Sequence, residues 1–309
     1  MRSTADLTRF LDRLVGLDAV EAPVVVACSG GPDSLALLAL AAAVDLAPVA
    51  VYVDHGLRAG SEDDARVVAR AAEHLGVTAC AVAVHVQPGP NLEARARDAR
   101  YEALERARAD VGASVVLVGH TADDQAETVL LNLLRGSASR GLGGMAVRRD
   151  AVVRPLLEFR RAETEAVCAA LELTPARDAM NADLSFRRVW IRNEVLPALC
   201  AGTGRDLVPV LARQAGVLRA ESDYLDELAR AAWPPAPDRT PAAALARLPL
   251  PLARRAVRQW LGPPPPSFAE VERVLLVARG EARATELAGG RRVERSAGEL
   301  RSIPASVRP

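Results

Sequence analysis

Four short apolar runs alternate with helical stretches, and that alternation limits the possible folds more than any other feature. The runs are VVVA at 24–27, APVAVYVDHG at 47–56, TACAVAV at 78–84 and SVVLVGH at 114–120. They are short, rich in valine and apolar on both faces, as expected of strands buried inside a sheet. Between and after them lie EDDARVVARAAEHLG at 62–76, NLEARARDARYEALERARADVG at 91–112 and DDQAETVLLNLLRG at 123–136, all read as helices. Residues 4–17 read as a further short helix ahead of the first strand. Strands and helices in this rhythm predict an α/β class, a doubly wound parallel sheet with right-handed crossovers. Ligands of such sheets bind beyond the carboxyl ends of the strands.

The first strand ends in Ser29-Gly30-Gly31-Pro32-Asp33-Ser34. Paired glycines permit positive φ and leave no Cβ between backbone and ligand. Pro32 suits the first helical turn, where its missing N–H costs nothing. The free N–H groups of that turn, the helix dipole and the two serine hydroxyls together make an anion site. The Walker pattern is excluded, because it needs a lysine and all 39 basic residues here are arginine. The competing interpretation is a plain strand-to-helix turn that binds nothing. Two more strand ends carry polar residues, Asp54-His55-Gly56 and Gly119-His120. Convergence of three such ends weighs more than any one of them. After His120, Asp124 and Glu127 share a helix face by their i,i+3 spacing, and Asp123 reads as a helix cap. Carboxylates aimed into a phosphate site bind Mg²⁺ through oxygen.

Composition settles less. The 309 residues allow one large or two medium domains, and the net charge of zero gives no global attraction to nucleic acid. Such attraction would have to be local. The stretch 134–161 holds seven arginines against two acids, and Arg187, Arg188 and Arg192 lie beside Phe186 and Trp190. Arginine forks suit phosphodiesters and aromatic rings stack on unpaired bases, so the span from Arg135 to Arg161, with Arg188 and Arg192, is predicted to face RNA. Cys28, Cys80, Cys168 and Cys200 form no CxxC pair and no zinc spacing, which fits a reducing cytoplasm. No leader pattern or apolar run of membrane-spanning length is present, so no membrane partner is expected. The stretch 206–233 reads as helix, WPPAPDRTP and GPPPPS read as breaks, and TELAGGRRVERSAGELRS reads as a small hairpin. A boundary is therefore placed at 205/206, between a catalytic domain over 1–205 and a smaller, mainly helical domain over 206–309.

Taken together, the motifs resemble a known family. Ser29 to Ser34 matches SGGxDS, the pyrophosphate-binding loop of ATP-pyrophosphatases. DHGLR at 54–58, RDARYEAL at 97–104, GHTADDQAET at 119–128, RGLGGM at 140–145, RPLL at 154–157 and IRNEVLP at 191–197 follow in the order seen in tRNA(Ile)-lysidine synthetases. The likeness covers roughly residues 20–200. It departs at 188–192, Arg-Val-Trp-Ile-Arg in place of Arg-Asn-x-Ile-Arg, and at Ala138, where the family pattern has glycine.

The resemblance implies an adenine nucleotide α-hydrolase-like sheet with a C-terminal tRNA-binding appendage, and a cytoplasmic, ATP-dependent carbon–nitrogen ligase. ATP adenylates the C2 oxygen of the wobble cytidine of a CAU anticodon, then free lysine displaces AMP to form lysidine. The implied partners are tRNA(Ile), lysine, ATP and Mg²⁺, with a homodimer left open. The implied ATP-binding residues are Ser29, Gly30, Gly31, Pro32, Asp33 and Ser34. The implied catalytic residues are Asp33, which would hold Mg²⁺ or the lysine ammonium, Arg100 at the α-phosphate, His120 and Asp124 orienting cytosine and amine with one of them as general base, and Glu127. Two alternatives remain: a cytidine 2-thiolating relative, which would need sulfur-bearing cysteines, and a non-catalytic ATP-binding module.

Overall fold

A computed structural model describes residues 8–10, 12, 20–54, 56, 61–86, 89, 92–176, 186–234 and 240–304. Six strands form the first sheet in the order β3-β2-β1-β4-β6-β5: β1 (Val24–Ala27), β2 (Pro48–Asp54), β3 (Thr78–Ala83), β4 (Val116–Val118), β5 (Arg148–Arg149) and β6 (Val152–Val153). All neighbours run parallel except the β5–β6 pair, which is antiparallel. The doubly wound sheet expected from the sequence is present, with an added antiparallel edge. Only residues 8–10 and 12 of the expected first helix belong to the described set, and they are helical.

Period-two alternation explains the two layers. Val24 and Val26 join a core with Leu37, Leu38 and Phe159, whereas Val25 joins Val51, Val53, Ala103 and Leu104 on the opposite face. Helix α1 (Pro32–Ala43) is apolar all round, and its packing shows why. Leu37, Leu38 and Leu40 face the sheet, while Leu35, Ala36 and Ala39 face Cys168 of a later helix and Leu173 just beyond it. A helix clamped on two sides has no polar face to keep.

The remaining elements of this half are α2 (Ser61–Leu75), α3 (Leu92–Asp110), α4 (Ala122–Leu134), α5 (Ser139–Leu142), α6 (Arg161–Ala170) and α7 (Arg187–Trp190). A π-helical turn over Ile191–Val195 leads from α7 into α8 (Leu196–Thr203). Ala122, Ala126 and Leu130 of α4 pack on Ile191, Leu196 and Val208. The strand order reverses between β1 and β4, which opens a crevice at their carboxyl ends.

The chain divides into two compact units, Met1–Val217 and Leu218–Pro309. The division lies inside α9 (Val208–Ala232), whereas the sequence reading set its boundary at 205/206. Helix-breaking residues mark where a helix starts, but contacts decide which turns belong to which core. Val208 and Ala212 join the α4 cluster, while Ala229 joins Trp233 and Trp260. The second unit holds α10 (Ala242–Arg247), α11 (Leu250–Leu261), α12 (Phe268–Arg279) and a sheet. The expected hairpin, β9 (Arg292–Ser296) with β10 (Glu299–Ile303), sits in a four-stranded antiparallel sheet with β7 (Thr240–Pro241) and β8 (Ala284–Glu286). Thr240 lies far from the hairpin in sequence, so its strand was not legible there, whereas β8 overlaps the start of the stretch read as the hairpin. Among the described residues no single helix is long and apolar enough to cross a membrane.

Candidate active site

The three polar strand ends open onto one cavity of about 920 Å³. Ser29, Gly31, Pro32, Asp33 and Ser34 line it from β1, Asp54 from β2, and Gly119 and His120 from β4. His55 lies outside the described residues. The loop is held by its own atoms. The Ser29 N–H donates to Ser34 Oγ at 3.2 Å, and the Ser34 hydroxyl donates to the Gly31 carbonyl at 2.9 Å. Gly30 adopts φ +82°, which favours glycine, and its carbonyl accepts from the Ala176 N–H. Gly31 caps α1 without a side-chain acceptor, so the first-turn N–H groups stay open to an anion. Gly119 is required for closeness: a Cβ there would lie 2.8 Å from the Asp33 carbonyl oxygen.

Asp33 lies in the first turn of α1, and the α1–α6 packing brings it to a residue 131 positions away. The Thr164 hydroxyl donates to its Oδ1, and Arg161 Nε stands 3.5 Å from its Oδ2. Burial raises the carboxyl from 3.8 to about 6, against the opposing pull of Thr164 and Arg161. The native state therefore holds this proton more tightly than the unfolded chain. Stability from the group is present below about pH 4 and is lost as pH rises to about 6.

Asp124 and Glu127 project from the first turns of α4, and both are already engaged. Asp124 Oδ2 accepts from the Thr121 N–H at 2.9 Å and the Thr121 hydroxyl at 3.0 Å, closing a capping box. Its Oδ1 lies 3.2 Å from Arg161 Nη2. Burial works to raise this carboxyl, but Arg161, Arg188 and the Thr121 N–H outweigh it and hold it below its ordinary range. Glu127 is 1% exposed and does not line the cavity. Its oxygens receive Arg192 Nε at 2.6 Å and Arg188 Nε at 2.8 Å, with Arg161 Nη2 at 3.5 Å.

His120 lines the cavity with a buried Nδ1 that has no hydrogen-bond partner among the described residues. Burial pushes its pKa down to about 3; Asp124 opposes this, and Arg154, Arg188 and Arg100 reinforce it. The ring is therefore neutral at physiological pH and offers a hydrogen bond rather than a charge. Arg100 reaches the cavity from α3 beside Tyr101; burial lowers its pKa, and it remains a cation.

Some expectations need correction. The cap of α4 is Thr121, completed by Asp124 rather than Asp123; Asp123 instead accepts from Arg160 and from the Arg161 N–H. Arg154, Arg160 and Arg161 were expected on an RNA-facing surface. Arg154 is buried, Arg160 pairs with Asp123 and Asp206, and Arg161 joins the carboxylates of the cavity. Arg188 and Arg192 likewise turn onto Glu127. Buried carboxylates outcompete solvent for these guanidinium groups. Arg135, Arg140 and Arg149 are the arginines of that stretch that stay exposed. Sequence reasoning missed Arg161 and Thr164 as site residues. Their only signal was position, just after the RPLL motif at 154–157. Cys28 lines the cavity, but burial raises its thiol to about 12, which keeps it protonated and poorly nucleophilic.

Comparison with known proteins agrees with this geometry. A family model described as PP-loop domain matches residues 3–199. A tRNA(Ile)-lysidine synthase from Mycolicibacterium paratuberculosis is 49% identical over 76% of this chain and 73% of its own length. One from Salinispora tropica is 42% identical over 91% of this chain and 90% of its own. The solved U34-tRNA thiolase NcsA from Methanococcus maripaludis superposes with a TM-score of 0.56 at 19% identity, over 70% of this chain and 78% of that one. The last likeness concerns the fold alone.

Proposed function

Since this chain belongs to the tRNA(Ile)-lysidine synthase family and carries its PP-loop domain, we propose that it uses ATP to join free lysine to C2 of the wobble cytidine of CAU-anticodon tRNA(Ile) in the cytoplasm. The observation that carries the reading is the convergence of the glycine loop, Asp54 and His120 on one cavity.

In the first step the cytidine C2 oxygen attacks the α-phosphorus, and the bond to pyrophosphate breaks. The open N–H groups of the loop, with Ser29 and Ser34, hold the departing pyrophosphate. Arg100 offsets charge that builds on the α-phosphate. His120, neutral and lining the cavity, hydrogen-bonds the base or the sugar through its ring. In the second step the lysine ε-amine attacks C2, the C2–O bond breaks and AMP leaves. The ε-ammonium must first give up a proton. Asp33 fits that role better than His120, which is too weakly basic, or Asp124, whose oxygens are already committed.

Among the described residues no cluster of three or more acidic, His or Cys side chains could hold a metal alone. Asp33 beside the phosphate loop fits the single carboxylate that Mg²⁺ uses when substrate phosphates supply its other ligands. Bound there in the first step, Mg²⁺ would neutralise charge on the phosphates and would leave with the pyrophosphate, before Asp33 meets the amine.

The second unit is proposed to grip the tRNA, in support of which residues 218–309 hold 15 arginines against 11 acidic residues. The test is incubation with unmodified tRNA(Ile), ATP and labelled lysine. Label on the tRNA with matching AMP release is expected. AMP release without lysine transfer would overturn the reading. The thiolation alternative is disfavoured by the protonated Cys28 thiol in the cavity.

A further inference from the structure

The Arg161 side chain touches three carboxylates at or behind the cavity wall, and the three contacts are unequal. Its Nη2 lies 3.2 Å from Asp124 and 3.5 Å from Glu127, and its Nε lies 3.5 Å from Asp33. Glu127 keeps Arg188 and Arg192 whether or not Arg161 is there. Asp124 keeps its Thr121 cap and the approach of Arg188 at 3.5 Å. Asp33 has no other ion pair among the described residues than the one with Arg161. The service that Arg161 alone performs is therefore to supply a cation to Asp33.

Around these three carboxylates the cavity is also lined by Asp54, Asp64, Glu165 and Arg100. An ammonium that arrives at Asp33 meets a cation standing where it must bind. At about 4 Å, like charges repel by roughly a fivefold factor in affinity even in a water-like dielectric, and by more in a buried cavity. The Arg161–Asp33 separation of 3.5 Å is too long for a strong hydrogen bond, whereas the Thr164 hydroxyl already fixes the carboxylate. The guanidinium can leave Asp33 and keep Asp124 and Glu127.

We propose that Arg161 is the standing counter-ion of the amine site: it occupies the place at Asp33 that the lysine ammonium takes, and lysine binding displaces it. The idea rests on the lysidine synthase reading and adds a residue that sets the affinity for the amino acid. In the empty enzyme Arg161 supplies the charge opposite Asp33, while Thr164 fixes its orientation. In the loaded enzyme it keeps two carboxylates and gives up the third.

The test compares wild type with Arg161→Gln and Arg161→Lys at about pH 8.5, where the amine site is ionised. The KM for lysine and the KM for ATP are measured by tRNA-dependent AMP release and lysine incorporation. Arg161→Gln should lower the lysine KM by roughly fivefold or more and move the ATP KM by less than about twofold. Arg161→Lys should also lower it, to a smaller extent, because one ammonium cannot reach three carboxylates. If only the Lys variant folds, its lysine KM decides alone. A lysine KM that is unchanged or raised in a folded variant overturns the proposal and leaves Arg161 as a structural clamp. Wild type run alongside separates the two claims. If it transfers lysine, the enzyme reading stands, and an unmoved KM in the variants counts against Arg161 only.

Discussion

The loop at 29–34 and the arginines between 135 and 192 carried equally clear sequence signals, yet only the first signal described what its residues do. The loop works through its backbone. Glycine, proline and serine set φ, open N–H groups and short hydrogen bonds within six residues, so local sequence specifies the result. The arginines work through long side chains that reach partners far along the chain. Arg188 and Arg192 meet Glu127 more than sixty positions away, and Arg161 meets Asp33. A cluster of positive charge in sequence thus became, in large part, the inner wall of the site.

The comparison can be broken or sharpened by substitution. The largest effect is expected at Asp33. Asp33→Ala should cut lysidine formation by roughly a thousandfold with the fold retained, since Arg161 keeps two other carboxylates. Radiolabelled lysine transfer and a thermal melt measure the two parts. In wild type the lysine-dependent kcat/KM should fall as pH drops through about 6, because Asp33 takes up a proton there. An acid limb that persists unchanged in other, active variants but lies below pH 5 would assign it to another group.

Glu127→Gln comes next. It leaves two arginines facing a neutral buried amide, at a cost of about 3–5 kcal/mol. That corresponds to a fall in melting temperature of about 10 °C or more. A melt within a degree or two of wild type would show that Arg188 and Arg192 do not depend on this carboxylate. They would then return to the pool of RNA-facing cations.

Gly119→Ala probes the backbone side of the comparison. Its Cβ would press on the Asp33 carbonyl at 2.8 Å and the Ser34 nitrogen at 3.1 Å, both backbone atoms that cannot swing away. A loss of about 1–3 kcal/mol is expected, with a raised KM for ATP. Full stability with normal ATP binding would mean that the two strand ends are less tightly apposed.

The smallest effect belongs to the arginines that stayed outside. Arg149 is 81% exposed. Arg149→Ala should lower the salt slope of tRNA binding by about one unit and leave ATP binding alone. An unmoved slope would remove the β5–β6 edge from the RNA surface and leave the task to the second unit.

Much of the fold was legible for a physical reason. Strands buried on both faces must be apolar throughout, helices between them must keep a heptad-like rhythm, and glycines must sit where the backbone turns hard or approaches closely. VVVA and its loop satisfied the first and third conditions, and the following helix, apolar all round, announced that it is buried on two sides. The site was half legible. His120 and Arg100 came to the cavity as expected, but their electrostatic state, a ring held neutral and a guanidinium half sunk beside Tyr101, depends on burial that no local pattern records. Thr164 gave no signal, because a threonine in a first helical turn is ordinary until α1 and α6 pack together.

The amino-acid order by itself determined the alternation of strands and helices, the phosphate-ready turn after β1 and the family to which the chain belongs. Those features rest on φ preferences and side-chain periodicity over a few residues. The tertiary structure alone decided which charges neutralise which. Arg160, Arg161, Arg188 and Arg192 became partners of Asp123, Asp124 and Glu127 because two helix packings, α1 on α6 and α4 on Ile191 and Leu196, brought them within 4 Å in a half-buried wall. Coulomb energy depends on distance and burial, and neither is fixed until the chain has folded.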